Sequence, residues 1–211
     1  MKQTHLLRKC AALIMLAALP CSLSAQEHHC KNVEKAVINN IMTRTSVRQY
    51  QDKAVEQDKV ETMLRAGMAA PTAVNKQPWH FIVVNDKAIL EKIAEINPNK
   101  RMLKTAPLGI IVCGNLEKAL SGDAQQYWIQ DTSAATENIL LAAHGLGLGA
   151  VWTALFPNKN RYEPLRELLG IPEHIIPLNI IIIGYPAESP TPKDKWKPEN
   201  VSYNEFGKTA E

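Results

Sequence analysis

The segment Arg44-Thr45-Ser46-Val47-Arg48 concentrates two guanidinium groups and two hydroxyls within five residues. Arginine is the side chain best shaped to hold a phosphate through two parallel hydrogen bonds. If the segment is extended, alternation points Arg44, Ser46 and Arg48 to the same side. The pattern therefore predicts either a site for a phosphorylated, hydroxyl-rich ligand or a solvated basic turn after the amphipathic run 33–41.

A second polar segment, 71–80, begins at Pro71, where a predicted helix ends. Small residues are followed by Asn75 and Gln77, whose amides offer a donor and an acceptor together. That combination suits the edge of a heterocyclic ring. The alternative is an ordinary loop in which Trp79 fills the core, and we favour this alternative for Trp79 and Gln77.

The glycines of 145–149 invite comparison with a dinucleotide-binding loop. Such a loop follows a strand and opens a helix, whereas these glycines follow a predicted helix and precede a predicted strand. We therefore reject that interpretation and predict that Gly145 or Gly147 caps the helix. The segment from Gly149 to Trp152 is then expected either to pass close to a flat group or to be a simple helix-to-strand turn.

Other polar groups give weaker signals. The run 193–195 (Lys-Asp-Lys) could bring two ammonium groups back to the arginines, but alone it is typical of a solvated surface. Asp131 and Glu137 are six residues apart on a predicted helix and so do not share one close face. No Gly-x-Ser-x-Gly elbow is present, and the histidines at element ends favour structural roles. The pattern favours chemistry carried by a bound cofactor.

Hydrophobic periodicity predicts alternating helices and strands after residue 30, in an α+β or α/β sandwich with helices flanking one sheet. A long helix at 126–144 is apolar over much of its circumference, so we expect it at the centre of the domain or in a subunit interface. Asp58 is the expected N-cap of a helix that Pro71 ends. A polar but aromatic arm, 186–211, is expected to wrap a surface of this chain or of a partner. The predicted strands are 81–84, 108–113, 150–152 and 178–183.

Residues 1–25 have the layout of a secretory signal peptide. A basic start is followed by the apolar run 10–19, Pro20 and small residues up to Ala25. The apolar run is too short to span a bilayer. We expect export, to the periplasm, with the remaining residues 26–211 forming a single domain. Pro20 argues against lipid anchoring at Cys21.

Removal of this leader changes the charge and cysteine arguments. The chain has a formal net charge of +3, and the leader holds three basic residues and no acidic ones. The remainder is therefore neutral, which gives no support for a nucleic-acid partner. Cys30 and Cys113 would remain, which is not a disulfide framework, although a bridge between them stays open. The tract His28-His29-Cys30 has no second ligand cluster nearby, which disfavours a metal site.

Five stretches, in this order along residues 32–206, resemble the nitroreductase family of FMN-dependent oxidoreductases. Each stretch is weak alone, and their order carries the resemblance. It implies an entwined α+β homodimer, built around a mostly antiparallel sheet, with FMN at the subunit interface. The stretches are 44–50, 71–79, 145–153, 184–186 and the pair Lys193 and Lys195.

The resemblance also implies which residues hold FMN. One set would bind the ribityl phosphate, with two lysines closing over it, and Arg48 would also face the pyrimidine side of the flavin. A second set would line the isoalloxazine ring from the partner subunit, and a third would offer backbone N–H groups toward flavin N5. The sets are, in this order, Arg44, Thr45, Ser46 and Arg48 with Lys193 and Lys195; Pro71, Thr72, Ala73 and Asn75; and Val151, Trp152 and Thr153.

The activity that the resemblance implies is a ping-pong hydride transfer through FMN. The donor is NAD(P)H in the family, and the acceptor is a nitroaromatic, a quinone or a similar compound. No catalytic side chain is obligatory for this reaction. The alternatives are a flavin-binding protein without turnover and another branch of the family, such as reductive dehalogenation or flavin modification. An exported member would lack pyridine nucleotides, so the donor and the branch stay open at this point.

Overall fold

The computed structural model describes residues 33–188 and 190–209, without the side chains of 98–100. The chain divides into two compact units between Met42 and Thr43, and each is described by itself. In the first unit, helix α1 (33–43) exposes several apolar side chains. The predicted leader and Cys30 lie outside the described residues. Among the helices that are described, none is both long and apolar enough to cross a membrane.

The second unit is built on one antiparallel sheet of four strands in the order β1-β2-β4-β3. This confirms the predicted α+β class and the antiparallel sheet. Each predicted strand is present and is longer at one or both ends. The elements are α2 (Gln57–Met68), β1 (Trp79–Val84), α3 (Lys87–Ile96), β2 (Leu108–Asn115), α4 (Tyr127–Gly145), β3 (Gly149–Ala154), α5 (Lys159–Leu169) and β4 (Ile175–Gly184).

Helices cover both faces of this sheet. On β2, Ile111 and Cys113 pack into one core with residues of α3 and α5. Ile110 and Val112, which alternate with them, pack into a second core with residues of α2 and α4. Because both faces are covered, the central strands are apolar at nearly every position.

Helix α4 is the long helix that the sequence predicts, and its buried face packs against α2 and the sheet. The approach to α2 is close at Gly67, where a Cβ atom would lie 2.9 Å from Ile139 Cδ1. Polar residues also lie on the buried face of α4, and one of them is Asp131. A carboxylate in that position requires a hydrogen-bond partner, because burying a charge without one is costly.

The ends of two helices test the predicted caps. Gly147, with a φ of 75°, closes α4, since its N–H donates to His144 O at 3.0 Å and Leu148 N–H donates to Ala143 O at 2.8 Å. This is a Schellman motif, and it selects Gly147 over Gly145. The prediction that Asp58 is the N-cap of α2 is wrong, because the helix starts one residue before Asp58 and its N-cap is Glu56. Asp58 lies instead in the first helical turn, where a negative charge is favourable.

Cys113 is a free thiol, fully buried on β2, and burial raises its pKa to about 12. At pH 9 much of an unfolded thiol is thiolate, the form that reacts, whereas burial keeps Cys113 protonated in the folded protein. We expect iodoacetamide at pH 9 to leave Cys113 unmodified in the native protein and to modify it fully in denaturant. Peptide mass mapping measures both, and equal labelling in the two states would contradict the burial.

Candidate cofactor site

The arginine-containing segment is attached to the edge of the sheet. Val47 N–H donates to Ala150 O at 3.1 Å, beside a parallel bridge between Ser46 and Ala150 on β3. Further along, Gln51 N–H donates to Tyr185 O at 2.8 Å, just after β4 ends. The segment is therefore an extended addition to the outer side of β3, and not a free turn.

Side chains alternate along this segment as the sequence predicts for residues 46–48. Val47 is buried, whereas Ser46 and Arg48 are exposed. Arg48 Nη1 donates to Ser46 O at 3.4 Å, so the guanidinium lies over its own segment. Arg44 differs, because its side chain is only 19% exposed and its Nε lies 3.5 Å from Glu137 Oε1 on α4.

Gly149 allows the segment to approach β3. A Cβ atom at this position would lie 2.7 Å from the Cβ and Cγ1 atoms of Val47. The close neighbour expected at Gly149 is thus the Val47 side chain. The glycine fixes how near the arginine-containing segment sits to the sheet.

The Tyr50 side chain anchors the same segment to β4. Its buried hydroxyl lies 2.6 Å from Val47 O and 2.9 Å from Ile182 O, and it supplies one proton to this pair of carbonyls. Burial raises the pKa of Tyr50 well above its usual range, so the hydroxyl remains a donor at neutral pH.

Removing this hydroxyl tests the anchor. We expect Tyr50→Phe to lower the free energy of unfolding by about 1–3 kcal/mol, because two buried carbonyls lose their shared donor. Tyr127→Phe is the matched control, since Tyr127 is 47% exposed, and it should leave stability unchanged. Urea denaturation measures both variants, and equal stability of Tyr50→Phe and wild type would contradict the anchoring role.

The loop 71–77 has an unusual backbone. It forms a short 3₁₀ turn at Ala73–Asn75, and φ is positive at Val74 (51°), Asn75 (54°) and Gln77 (49°). Residues other than glycine adopt this region at a cost of about 1–3 kcal/mol each, and such strain concentrates at functional sites. For the β-branched Val74 it is a clear outlier.

Hydrogen bonds hold this loop in place. Ala73 N–H donates to Asp131 Oδ1 on α4 at 2.9 Å. Within the loop, the Gln77 backbone N–H donates to Thr72 Oγ1 at 3.1 Å, and Gln77 Nε2 donates to Asn75 Oδ1 at 3.0 Å. The loop is followed by Trp79, which is buried as predicted.

Asp131 and Glu137 are the site residues that sequence reasoning missed. A spacing of six residues keeps the two carboxylates off one shared face of the helix. They need not share a face, because Asp131 contacts the loop 71–77 and Glu137 contacts the arginine-containing segment. A signal was present for Asp131, which lies on the predicted buried face three residues after Trp128 and four before Ala135. A carboxylate at such a position indicates a specific partner.

On β3 only one of the predicted backbone donors faces outward. The backbone N–H and C=O of Ala150 point away from β4, because Ala150 O accepts from Val47 N–H. Leu155 N–H instead donates to Leu178 O, toward β4. Backbone groups alternate in direction along an edge strand of an antiparallel sheet. The N–H groups of Val151 and Thr153 are therefore used within the sheet, and that of Trp152 points to the outer edge.

The two lysines of the predicted phosphate set lie on the C-terminal arm. Lys193 and Lys195 are exposed, and within the described residues no hydrogen bond or ion pair joins either lysine to another residue. The arm that carries them starts at Pro186, which forms a bridge with Tyr50. Its aromatic side chain Trp196 is 69% exposed.

Histidines do not form a competing site. His144 Nε2 lies 3.0 Å from Thr43 Oγ1, and His174 Nδ1 lies 3.6 Å from Glu117 Oε1. In the described part of the chain no group of three or more histidine, cysteine or acidic residues could hold a metal ion. The predicted tract 28–30 lies outside that part.

The arrangement suits a phosphorylated ligand with a flat polar ring. Ser46 and Arg48 present a hydroxyl and a guanidinium to solvent on one side of a fixed segment. Trp152 presents an outward N–H on the same edge of β3, two residues (about 7 Å) from the attachment at Ala150. The Ser46 hydroxyl and Arg48 guanidinium could thus contact one end of a ligand, and the Trp152 N–H the other end.

Comparisons with known proteins agree on one family. The model of the nitroreductase family matches residues 41–97 and 95–185. A Methanothermobacter thermautotrophicus protein, provisionally named NADH dehydrogenase/NAD(P)H nitroreductase, is 48% identical over 167 residues, which cover 78% of this chain and 85% of that protein.

Solved structures give the same result. A crystal structure from Bacteroides thetaiotaomicron with the same provisional name has a TM-score of 0.77 and 45% identity, over 81% of this chain and 98% of that one. An FMN-dependent nitroreductase from Clostridium difficile has a TM-score of 0.74 and 31% identity, over 80% and 99%. The chain belongs to the nitroreductase family.

Proposed function

We propose that this chain is an FMN-dependent oxidoreductase that takes a hydride from a reduced donor, which is NAD(P)H in the family, and delivers it to an organic acceptor. Family membership supports the oxidoreductase class, and the names of two similar proteins contain NAD(P)H nitroreductase and FMN-dependent nitroreductase. The observation that carries the proposal is the pair of exposed side chains, Ser46 and Arg48, on a segment attached to the edge of β3 toward which the Trp152 N–H points.

The proposed phosphate site consists of Arg44, Thr45, Ser46 and Arg48. The segment is extended and anchored before any ligand arrives, so little ordering is required on binding. Glu137 holds Arg44 against α4, which restricts the rotamers of that guanidinium. We propose that Lys193 and Lys195 approach the phosphate when the arm closes, because both are exposed and belong to a segment that starts beside Tyr50.

The proposed ring site uses backbone groups more than side chains. Bound FMN supplies the redox chemistry, since its ring accepts and releases hydride at N5. The outward N–H of Trp152 would donate a hydrogen bond to the ring, and Val151 and Thr153 support that strand within the sheet. The loop residues Pro71, Thr72, Ala73 and Asn75 are proposed to line the ring from a partner subunit.

Exposed apolar side chains support a homodimer. On α1, Val37 and Ile38 are more than half exposed, and Trp196 and Phe206 of the arm are exposed as well. Large apolar side chains exposed on a surface are typical of protein interfaces. We propose the entwined dimer of the family, with α1 and the arm covered by the second subunit. Sedimentation equilibrium should give twice the chain mass, and a stable monomer would contradict this.

The proposed reaction is ping-pong, with a nitroaromatic or quinone acceptor. Donor and acceptor would occupy the same face of the ring in turn, and the chain contributes binding and orientation without an obligatory acid or base. Steady-state rates with NADH or NADPH and each acceptor should give parallel double-reciprocal lines. Intersecting lines would exclude ping-pong, and FMN binding without any turnover would favour a flavin carrier.

We further propose that the chain is exported and that its N-terminal segment is removed after about residue 25. The support is the basic, apolar and small-residue pattern of 1–25. N-terminal sequencing of the protein from fractionated cells tests this directly. A mature N-terminus near residue 26 in the periplasmic fraction is expected, and an intact Met1 in the cytoplasmic fraction would contradict export.

A further inference from the structure

The loop 72–77 has one external attachment. Each of the other hydrogen bonds found for it among the described residues joins two residues of the loop, including Asn75 N–H to Thr72 O and Lys76 N–H to Ala73 O. The exception is Ala73 N–H, which donates to Asp131 Oδ1. The internal bonds preserve the shape of the turn, and the bond to Asp131 fixes where that turn sits on the domain.

The hydrogen bond from Ala73 N–H to Asp131 Oδ1 is expected to be strong. Asp131 is only 6% exposed, so water competes little for its carboxylate. A hydrogen bond to a charged acceptor is roughly twice as strong as one between neutral groups. The same face of α4 carries Ala135, which packs with Ala70 and Trp79, the residues on either side of the loop. Both ends of the loop and its middle therefore rest on one helix.

The strained residues explain why an external attachment is needed. Val74 and Asn75 directly follow Ala73 and both have positive φ. Such conformations persist only where the surroundings over-determine them. If Ala73 N–H lost its acceptor, the internal hydrogen bonds alone would have to hold these backbone angles.

We infer that Asp131 is a positioning residue, which holds Ala73 so that the strained loop presents the backbone that the flavin ring requires. This inference rests on the proposed function, because the ring is the proposed ligand of the loop. Asp131 acts through Ala73 and is not assigned to the reaction itself. Its role requires an acceptor atom at Oδ1, and an amide oxygen can supply one as well.

Three variants separate positioning from general stability. Asp131→Ala removes the acceptor, and Asp131→Asn keeps an acceptor of the same shape. Thr136→Ala is the matched control on the same helix, because the buried Thr136 hydroxyl donates to Thr132 O and accepts from Asn179 Nδ2, and neither partner belongs to the loop. All three are expected to fold, with lower melting temperatures for both alanine variants.

Two measurements on the full chain test whether Asp131 positions the loop for FMN. In FMN-free protein, amide hydrogen exchange of peptides covering 72–77 should be about 10-fold faster in Asp131→Ala than in wild type. The FMN dissociation constant should rise about 10-fold in the same variant. Asp131→Asn should stay within about 3-fold of wild type in both measurements, and Thr136→Ala should match wild type in both.

The results that would overturn the inference are also definite. Loop exchange in Asp131→Ala equal to that in Thr136→Ala would show that Asp131 does not fix the loop. Equal FMN dissociation constants for these two variants would show that the loop position does not matter for the flavin. If wild type takes up no FMN, the proposed function itself fails, and the exchange result still decides whether Asp131 positions the loop.

Discussion

Replacing Arg48 with alanine is expected to weaken FMN binding by about 10- to 100-fold. Hydrogen bonds to a charged partner contribute about 1.5–3 kcal/mol each, and 1.4 kcal/mol is a factor of ten in affinity. The Arg48 side chain is exposed, and the one hydrogen bond found for it among the described residues is the 3.4 Å contact with Ser46 O, so its removal should cost little folding stability. Fluorescence titration of FMN measures the loss.

The double variant Arg44→Ala/Arg48→Ala should bind FMN too weakly to purify as a yellow protein. Arg44 also pairs with Glu137, so Glu137→Gln separates the two roles and should retain most of the affinity. Arg65→Ala is the control for loss of a surface guanidinium, because the partner found for the Arg65 side chain in the described part of the chain is Glu61 on α2. Wild-type FMN affinity in the double variant would refute the phosphate site.

Gly114→Ala is expected to have the largest effect on stability. A Cβ atom at Gly114 would lie 2.2 Å from Trp128 Cε3 and within 3 Å of two further ring atoms. Trp128 is buried and packs edge-on against Phe156, so the ring has little room to move. Overpacking of this kind costs about 1–3 kcal/mol and occasionally more. We expect a loss of about 3 kcal/mol in urea denaturation.

The same substitution should also weaken FMN binding. Trp128 is the second residue of α4, and that helix holds the loop through Asp131 and Arg44 through Glu137. A shift of the helix start would displace both attachments. Gly109→Ala is the control on the same strand, because the nearest atom to its Cβ would be the flexible end of Leu90 at 3.3 Å, with Leu103 Cδ2 and Ile180 Cγ2 at ordinary contact distances of 3.6 and 3.7 Å. If both glycine variants are equally stable, the packing at Trp128 is not as described.

Much of the fold could be predicted from periodicity. The strands β2 and β4 are apolar at successive positions because both sheet faces are covered, so their existence is clear from composition alone. The long apolar helix α4 follows from its 3.6-residue pattern. The start of α2 could not be predicted, since Asp58 is a good N-cap residue and the helix nevertheless begins one residue earlier. Helix starts depend on local backbone geometry that residue type alone does not specify.

The segments that form the candidate site could be predicted from the sequence, but the contacts that hold those segments in place could not. The arginine segment and the loop 71–77 stand out by residue type, but their attachment to β3 and α4 depends on tertiary contacts. Asp131 and Glu137 became interpretable only once each was seen with its own partner. Likewise, the outward direction of the Trp152 N–H depends on the register between β3 and β4. Register is set by the whole sheet, which is why three equivalent donors were expected and one is available.

The central claim is that this chain holds FMN through the segment attached to β3 and uses it for redox turnover. The most direct test is the visible spectrum of the purified full chain with FMN, followed during anaerobic addition of NADH and then NADPH. We expect about one FMN per subunit, bleaching near 450 nm with at least one of the two donors, and recovery of colour when a quinone or nitroaromatic is added. A protein that takes up no FMN, or whose bound FMN neither donor bleaches, would contradict the account.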